Sequence, residues 1–472
     1  MNTRWPVFAA GAVAFATVVA AVLVVVQDDP GPVVATAPEP TEPSSSVAPL
    51  PAEVHWSRSA EDMYGREFAQ FTDPGAGSQN YPSAASFIDV GDVYVASVGL
   101  PDPATGSFDA PALVGLDAED GSTVWLLDDL RTASCADRLL SGSIVCIAAN
   151  DDPSDDSDEP ASTIVVVDAA TGERRLVRAP QRILAVGTDG SSLYSVNSTV
   201  TPQGYESTPQ IKKGTVDDVA RDWVTEFPGV AIYPGSPSSA ITIDDTYGLG
   251  RFGSTAIGFD SVTGALTWYR GYPDSCVQAP YRVQPRLVIM AETVCAQSEA
   301  FTGTVALASD GREVARSPAP VYPFTETDAP ADLSMPMIVG DSAFDRSTGA
   351  FLWSSPLLAS TNGVAVVGDV VIARAPGTAL ASALDLRTGA LRWENDPDDY
   401  HPITAFVDGV AYFTVGGTVE SIATEDGSTR RRIEIEPTPD PYGPVPYLGA
   451  RVTESGDRLV YSSMSTLAVL DR

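Results

Sequence analysis

A strand–turn–strand unit recurs along this chain at steps of roughly 40–50 residues, the spacing of one supersecondary module per step. Each step holds about four short apolar or alternating runs and no helical periodicity. An uncharged run, Trp5 to Val26, precedes all of them. These observations predict an all-β protein: a closed β-propeller of eight four-stranded blades, preceded by one N-terminal transmembrane helix.

The elements follow in chain order. Residues 1–4 form a short tail ending in Arg4, expected on the cytoplasmic side. Residues 5–26 are long enough, at roughly 33 Å as a helix, to cross a bilayer core of about 30 Å. Asp28 and Asp29 follow at once, so the C-terminal side is expected outside. The alternative is a cleaved signal peptide, but Ala35-Thr36-Ala37 is followed by Pro38, which disfavours cleavage. With no Cys near the N-terminus, a Cys-linked lipid anchor is excluded. Residues 27–52 are a Pro/Ser/Thr-rich acidic linker with nothing to build a core from. Residues 53–472 are the propeller.

The repeat is clearest from Ala256 to Trp268, AIGFDSVTGALTW. Asp260 ends one strand, and its carboxylate is suited to accept turn N–H groups. Gly264 supplies the positive φ of a tight turn. Trp268, on the outgoing strand, has a large apolar surface to bury. Other copies place Asp117 before Trp125, Asp168 before Leu176, Asp345 and Gly349 before Trp353, and Asp385 and Gly389 before Trp393. Weaker copies end at Asp222-Trp223, centre on Asp310-Gly311, or keep Asp426-Gly427 without the Trp. The last strands, Arg458 to Asp471, stop at the Asp of the motif, while Trp56 near the start is an orphan. The N-terminal strand around Trp56 is therefore expected to complete the C-terminal blade and close the ring. Literal counting gives nine modules. Eight is the expectation, because Asp341 to Trp353 has little strand sequence ahead of it, and seven is the count if two weak modules are insertions.

Charge and cysteines bound the setting. The chain has 62 acidic and 28 basic residues, a net charge of −34, with lysine only at Lys212 and Lys213. Such a surface repels phosphate backbones, so nucleic acid is not an expected partner. The usage suggests a high-GC bacterial genome. Four cysteines in an oxidising compartment are expected to pair as Cys135–Cys146 and Cys276–Cys295, each placed symmetrically about a hairpin.

The pattern (small/apolar)-x-Asp-x-x-Thr-Gly-x-x-x-Trp, best kept in Phe259 to Trp268 and Leu384 to Trp393, resembles the pyrroloquinoline-quinone (PQQ) repeat. The resemblance covers residues 53–472. That family holds quinoprotein alcohol and glucose dehydrogenases and also non-enzymatic propellers such as the BamB-like scaffold of outer-membrane protein assembly. The resemblance implies that each Trp docks between neighbouring blades. It does not by itself imply that the quinone is bound.

The chemistry expected of an enzyme is missing from the sequence. The quinoprotein dehydrogenases stack PQQ on an adjacent Cys-Cys disulfide, and no two cysteines are adjacent here. There is no C-x-x-C-H haem site, G-x-S-x-G elbow or phosphate-binding loop. The two histidines, His55 and His401, lack partners for a zinc or catalytic site. Asp151, Asp152, Asp155, Asp156 and Asp158 form a weak Ca²⁺ candidate, read rather as a solvated acidic excursion. Lys212-Lys213 reads as a surface basic spot.

The expected function is a membrane-anchored, extracytoplasmic propeller that binds or scaffolds a protein, peptide or cell-envelope component, at the cell membrane and with no catalytic residues or cofactor. The alternatives are a PQQ-dependent dehydrogenase using PQQ with Ca²⁺, and a sensor ectodomain acting through a membrane partner. Oligomeric state is left open.

Overall fold

A computed structural model describes residues 54–472 apart from 76–84, 103–106, 129–131, 149–161, 201–206, 228–238, 245, 253–254, 272–275, 285–286, 294–300, 320–323, 327–333, 360–362, 375–380, 396–402, 416 and 436–449. The described residues form nine separate sheets, antiparallel except for one parallel pair, numbered here as blades in chain order. Blade 1 spans Gln70–Thr72 to Thr123–Leu127, blade 2 Thr132–Cys135 to Arg174–Ala179, and blade 3 Ile183–Thr188 to Trp223–Glu226. Blade 4 spans Ser239–Asp244 to Leu266–Arg270, and blade 5 Cys276–Gln284 to Glu313–Ser317. Blade 6 consists of Met337–Val339, Ser342–Phe344 and Phe351–Ser354 only. Blade 7 spans Gly363–Val367 to Leu391–Asn395, and blade 8 Ile403–Val407 to Thr429–Glu434. Blade 9 joins three C-terminal strands, Arg451–Ser455, Arg458–Ser462 and Thr466–Asp471, to the N-terminal strand Val54–Ser59, which pairs antiparallel with Thr466–Asp471.

The expectation of a closed eight-bladed propeller is corrected. Among the described residues there are nine blades, and the propeller is not closed: each sheet is open, and no ladder of strand pairing runs from one sheet into another, although the N-terminal strand completes the C-terminal blade as expected. The miscount has a specific cause. The segment expected to be too short for a blade folds as three strands, because the two residues Gly340-Asp341 suffice to turn Met337–Val339 back into Ser342–Phe344. The strand that precedes it in sequence, Phe324–Glu326, pairs instead in parallel with Gly363–Val367 of blade 7. The expected transmembrane helix, residues 5–26, falls within the N-terminal stretch that is not described. Residues 1–53 lie outside the described residues, and among the described residues no helix is long and apolar enough to cross a membrane.

The core lies between blades. Buried side chains of consecutive sheets interdigitate, as where Ala365, Val367 and Ile372 of blade 7 meet Ile403, Ala411 and Phe413 of blade 8. Alternating strands present one apolar set to each neighbouring blade, so both faces of a blade are buried and its strands read as near-continuous apolar runs. In blade 2, Cys135 and Cys146 sit directly opposite each other on adjacent strands and form a disulfide.

Strand direction gives the assembly two unlike faces. The hairpins between first and second strands, and the motif turns between third and fourth, share one face. The connections between second and third strands, and those between blades, share the other. Motif turns are uniform: five residues separate Asp260 from Leu266, and five separate Asp385 from Leu391. Connections on the opposite face run from two residues, 416–417, to nineteen, 318–336, a stretch that also holds Phe324–Glu326.

Candidate functional site: the motif turns and the blade junctions

At each full motif the Asp builds its own turn. Asp260 Oδ1 accepts the N–H of Val262 (3.0 Å), the N–H of Thr263 (2.7 Å) and the Thr263 hydroxyl (2.8 Å). Asp385 does the same with Arg387 (3.1 Å) and Thr388 (2.8 Å for both N–H and hydroxyl). Asp345 and Asp168 repeat the arrangement, the latter with Thr171. Asp117, which has no Thr three residues on, accepts only the N–H groups of Glu119 and Asp120. Hydrogen bonds to the ionised form favour it. Those from Ser347 and Thr348 pull the Asp345 carboxyl down to about 2. The Arg392 guanidinium, then Thr388, does the same to Asp385. These carboxylates are occupied by their own turns.

Trp125, Trp268, Trp353 and Trp393 each have a small residue opposite. Within its own blade each is cross-strand from the residue two before the Asp: Gly115 for Trp125, Gly258 for Trp268, Ala343 for Trp353 and Ala383 for Trp393. On its other side it meets the turn glycine of the next blade. A Cβ on Gly121 would fall 2.6 Å from the Trp56 ring, one on Gly172 2.5 Å from Trp125, one on Gly389 2.6 Å from Trp353, and one on Gly427 2.7 Å from Trp393. At these four junctions the indole N–H donates into the next turn: Trp56 to Ala118 O (3.1 Å), Trp125 to Ala169 O (3.1 Å), Trp353 to Leu386 O (3.0 Å) and Trp393 to Thr424 O (2.9 Å). The accepting residue directly follows the motif Asp, or Ala423 in the degenerate copy. Gly349 has no Trp against it and meets Val314 instead. Leu176, at the Trp position of blade 2, is exposed.

Two junctions depart from the rule. Trp268 packs on Gly311, but its N–H donates to Tyr247 Oη of its own blade (3.1 Å). Trp223 packs on Gly264, yet its buried Nε1 has no hydrogen-bond partner. The carbonyl that would receive it, Ser261 O, is taken by Lys213 Nζ (3.2 Å) and lies 3.1 Å from Tyr194 Oη. Lys213 Nζ also sits 3.5 Å from Asp189 Oδ2 and 5.0 Å from the centre of the Tyr194 ring. Burial raises the Asp189 carboxyl, but N–H and hydroxyl donors from Ser191, Ser192 and Tyr194 outweigh it and bring it down to about 2. Lys213, which reads as surface in the sequence, is a junction residue, and Lys212 is buried with its ammonium on Gln181 Oε1.

Among the described residues the remaining candidates do not assemble into a catalytic or metal site. His55 lies 3.7 Å from Glu119 and 3.9 Å from Asp471, between blades 9 and 1. His401, the five aspartates from Asp151 to Asp158, and the Cys276–Cys295 pairing fall wholly or in part outside the described residues. Among the described residues no group of three or more His, Cys, Asp or Glu is placed to hold a metal ion.

Residues 339–440, from blade 6 to the end of blade 8, match the family model described as "Outer membrane protein assembly factor BamB". This part of the chain is similar to the BamB-type PQQ repeat. The matched segment includes two of the four complete Trp junctions, Trp353 with Leu386 and Trp393 with Thr424. Among curated proteins, none matches the chain in sequence. Among solved structures it is similar to BamB from Moraxella catarrhalis, with 15% identity over 85% of this chain and 100% of that one and a TM-score of 0.44. It is also similar to Saccharomyces cerevisiae Sqt1, with 10% identity over 77% and 98% of the two chains and a TM-score of 0.38. Apo AztD from Citrobacter koseri shares 12% identity over 65% and 87%, with a TM-score of 0.35.

Proposed function

We propose that this protein is a non-catalytic binding scaffold of the bacterial cell envelope, whose partner is a protein or another envelope component. One observation carries the reading: the polar and aromatic groups of the repeat are consumed by the fold. The motif carboxylates bind their own turns, and four indole N–H groups bind the next blade. The regular turns therefore hold few free groups, and binding falls to the opposite face. There the connections vary in length, and variable connections on a rigid frame are where recognition is usually placed. A net charge of −34 favours a cationic surface on the partner. The BamB-type match of residues 339–440 supports a role in assembly rather than turnover. The uncharged run Trp5 to Val26 and the Pro-rich linker support attachment at the cell membrane with the propeller outside.

The test is a crosslinking pull-down of the full-length protein from membranes, run beside an assay of the purified protein with PQQ and Ca²⁺ for dye-linked alcohol or sugar oxidation. A discrete crosslinked partner without turnover is the expected result. PQQ-dependent turnover overturns the reading.

A further inference from the structure

We infer that the junction of blades 3 and 4 is a two-state joint, in which Lys213 and Trp223 compete for the Ser261 carbonyl and the structure holds the lysine-bound state. At four other junctions the carbonyl directly after the motif Asp, or after Ala423 in the degenerate copy, receives the indole N–H of the preceding blade at 2.9–3.1 Å. Ser261 holds that position after Asp260, and Trp223 lies on the same turn: a Cβ on Gly264 would fall 2.6 Å from its ring. Yet Trp223 Nε1 is buried with no hydrogen-bond partner among the described residues. Lys213 Nζ donates to Ser261 O in its place, at 3.2 Å, with Tyr194 Oη 3.1 Å from the same oxygen.

The two donors lie close to balance. An ammonium makes the stronger bond to a carbonyl. Against that, a buried N–H left unpaired has lost its hydration without replacement, and this cost falls only on the lysine-bound state. The ammonium also has other partners. Asp189 Oδ2 lies 3.5 Å from it, and Asp222 and Asp260 feel its charge from the two neighbouring turns. Withdrawal of Lys213 from Ser261 O therefore leaves no unpaired charge. Tyr194 keeps a partner in either state, because its hydroxyl is also 2.9 Å from Asp189 Oδ2. One acceptor with two rival donors gives two discrete packings rather than a continuum. In the lysine-bound state blade 4 is fastened by the third strand of blade 3, Ser207–Gly214. In the indole-bound state it is fastened by the fourth strand, Trp223–Glu226, as at the four other junctions. This joint is where the frame can change its fastening.

Nitrogen-15 NMR of the indole groups tests this on the full chain. The Trp223 signal is assigned by its loss in Trp223→Phe. The Trp353 indole, bonded to Leu386 O, serves as the protected reference in the same molecule. In the unmodified protein the Trp223 N–H is expected to exchange with water at least about tenfold faster than that of Trp353. Saturation transfer is expected to reveal a minor Trp223 state, populated at about 0.1–10 %. Lys213→Met should move the Trp223 signal onto that minor state and slow its exchange with water by about tenfold. A Trp223 N–H already protected in the unmodified protein overturns the inference, and so does the lack of a minor state. An indole that stays unprotected in Lys213→Met, while Trp353 remains protected, overturns it as well.

Discussion

The indole of Trp353 in blade 6 lies flat against Gly389 in the motif turn of blade 7, close enough that a Cβ at 389 would sit 2.6 Å from the ring. Its N–H donates to Leu386 O of the same turn at 3.0 Å. Gly389 has φ +70°, so it is fixed twice, by backbone conformation and by the ring above it. Gly389→Ala is expected to cost about 2–4 kcal/mol in denaturant unfolding, strain and overpacking together. Gly409→Ala is the control. Gly409 has φ +79° with open space around it, so its substitution carries backbone strain alone, about 1–2 kcal/mol. Equal losses at the two sites would remove the ring contact from the account.

Trp268 fills the junction of blades 4 and 5 between Gly258 and Gly311. Trp268→Ala should destabilise by about 3–5 kcal/mol, the range for emptying a large buried site. Leu391, on an outer strand and 55% exposed, should lose no more than about 0.5 kcal/mol on change to Ala. Thermal melts of the pair check the contrast, and a tolerant Trp268→Ala would mean the indole does not carry this junction.

The junction of blades 3 and 4 depends on an ammonium where others use an indole. Lys213→Met removes the donor to Ser261 O and the partner of Asp189, both partly shielded from water. Asp189 keeps its donors from Ser191, Ser192 and Tyr194, so the expected loss is about 0.5–1.5 kcal/mol, the net worth of one hydrogen bond. Combining it with Asp189→Asn should give less than the sum of the two single losses, since the groups share one network. Additive losses in a double-mutant cycle would show that Lys213 and Asp189 do not act together.

Acid should loosen the motif turns. The Asp345 and Asp385 carboxyls are held down to about 2, below the value near 3.9 expected in the unfolded chain. A group depressed in the folded state adds stability that is complete above the unfolded value and is lost as pH falls through the folded one. The loss therefore falls between about pH 4 and pH 2. Asp385 is solvent-screened, so Asp385→Asn should cost only about 1 kcal/mol at neutral pH and flatten the acid limb of the stability curve. An acid limb unchanged by the substitution would contradict this.

The sequence makes the turns legible because their determinants are local. Asp260, Thr263 and Gly264 satisfy one another within five residues, so spacing alone announces the geometry. The small residue two before each Asp carried a further signal, since Gly258 and Ala383 make room for the Trp opposite. The blade count was not legible, because the pairing of Thr325 with Ala365 is set by edges far apart in sequence. Lys213 was hidden for the same reason: its acceptor, Ser261, lies 48 residues away. The residues that would mark a docking surface were not legible either. The repeat specifies only the turn face.

The claim that the connection face binds and the turn face does not is tested most directly by site-specific photocrosslinking in cells. A photoreactive residue is placed at Glu67, exposed on the connection between blades 9 and 1, or at Ala350, exposed in the motif turn of blade 6. The account predicts a discrete higher-mass adduct from Glu67 and none from Ala350. An adduct from Ala350 alone, or from neither position, would contradict it.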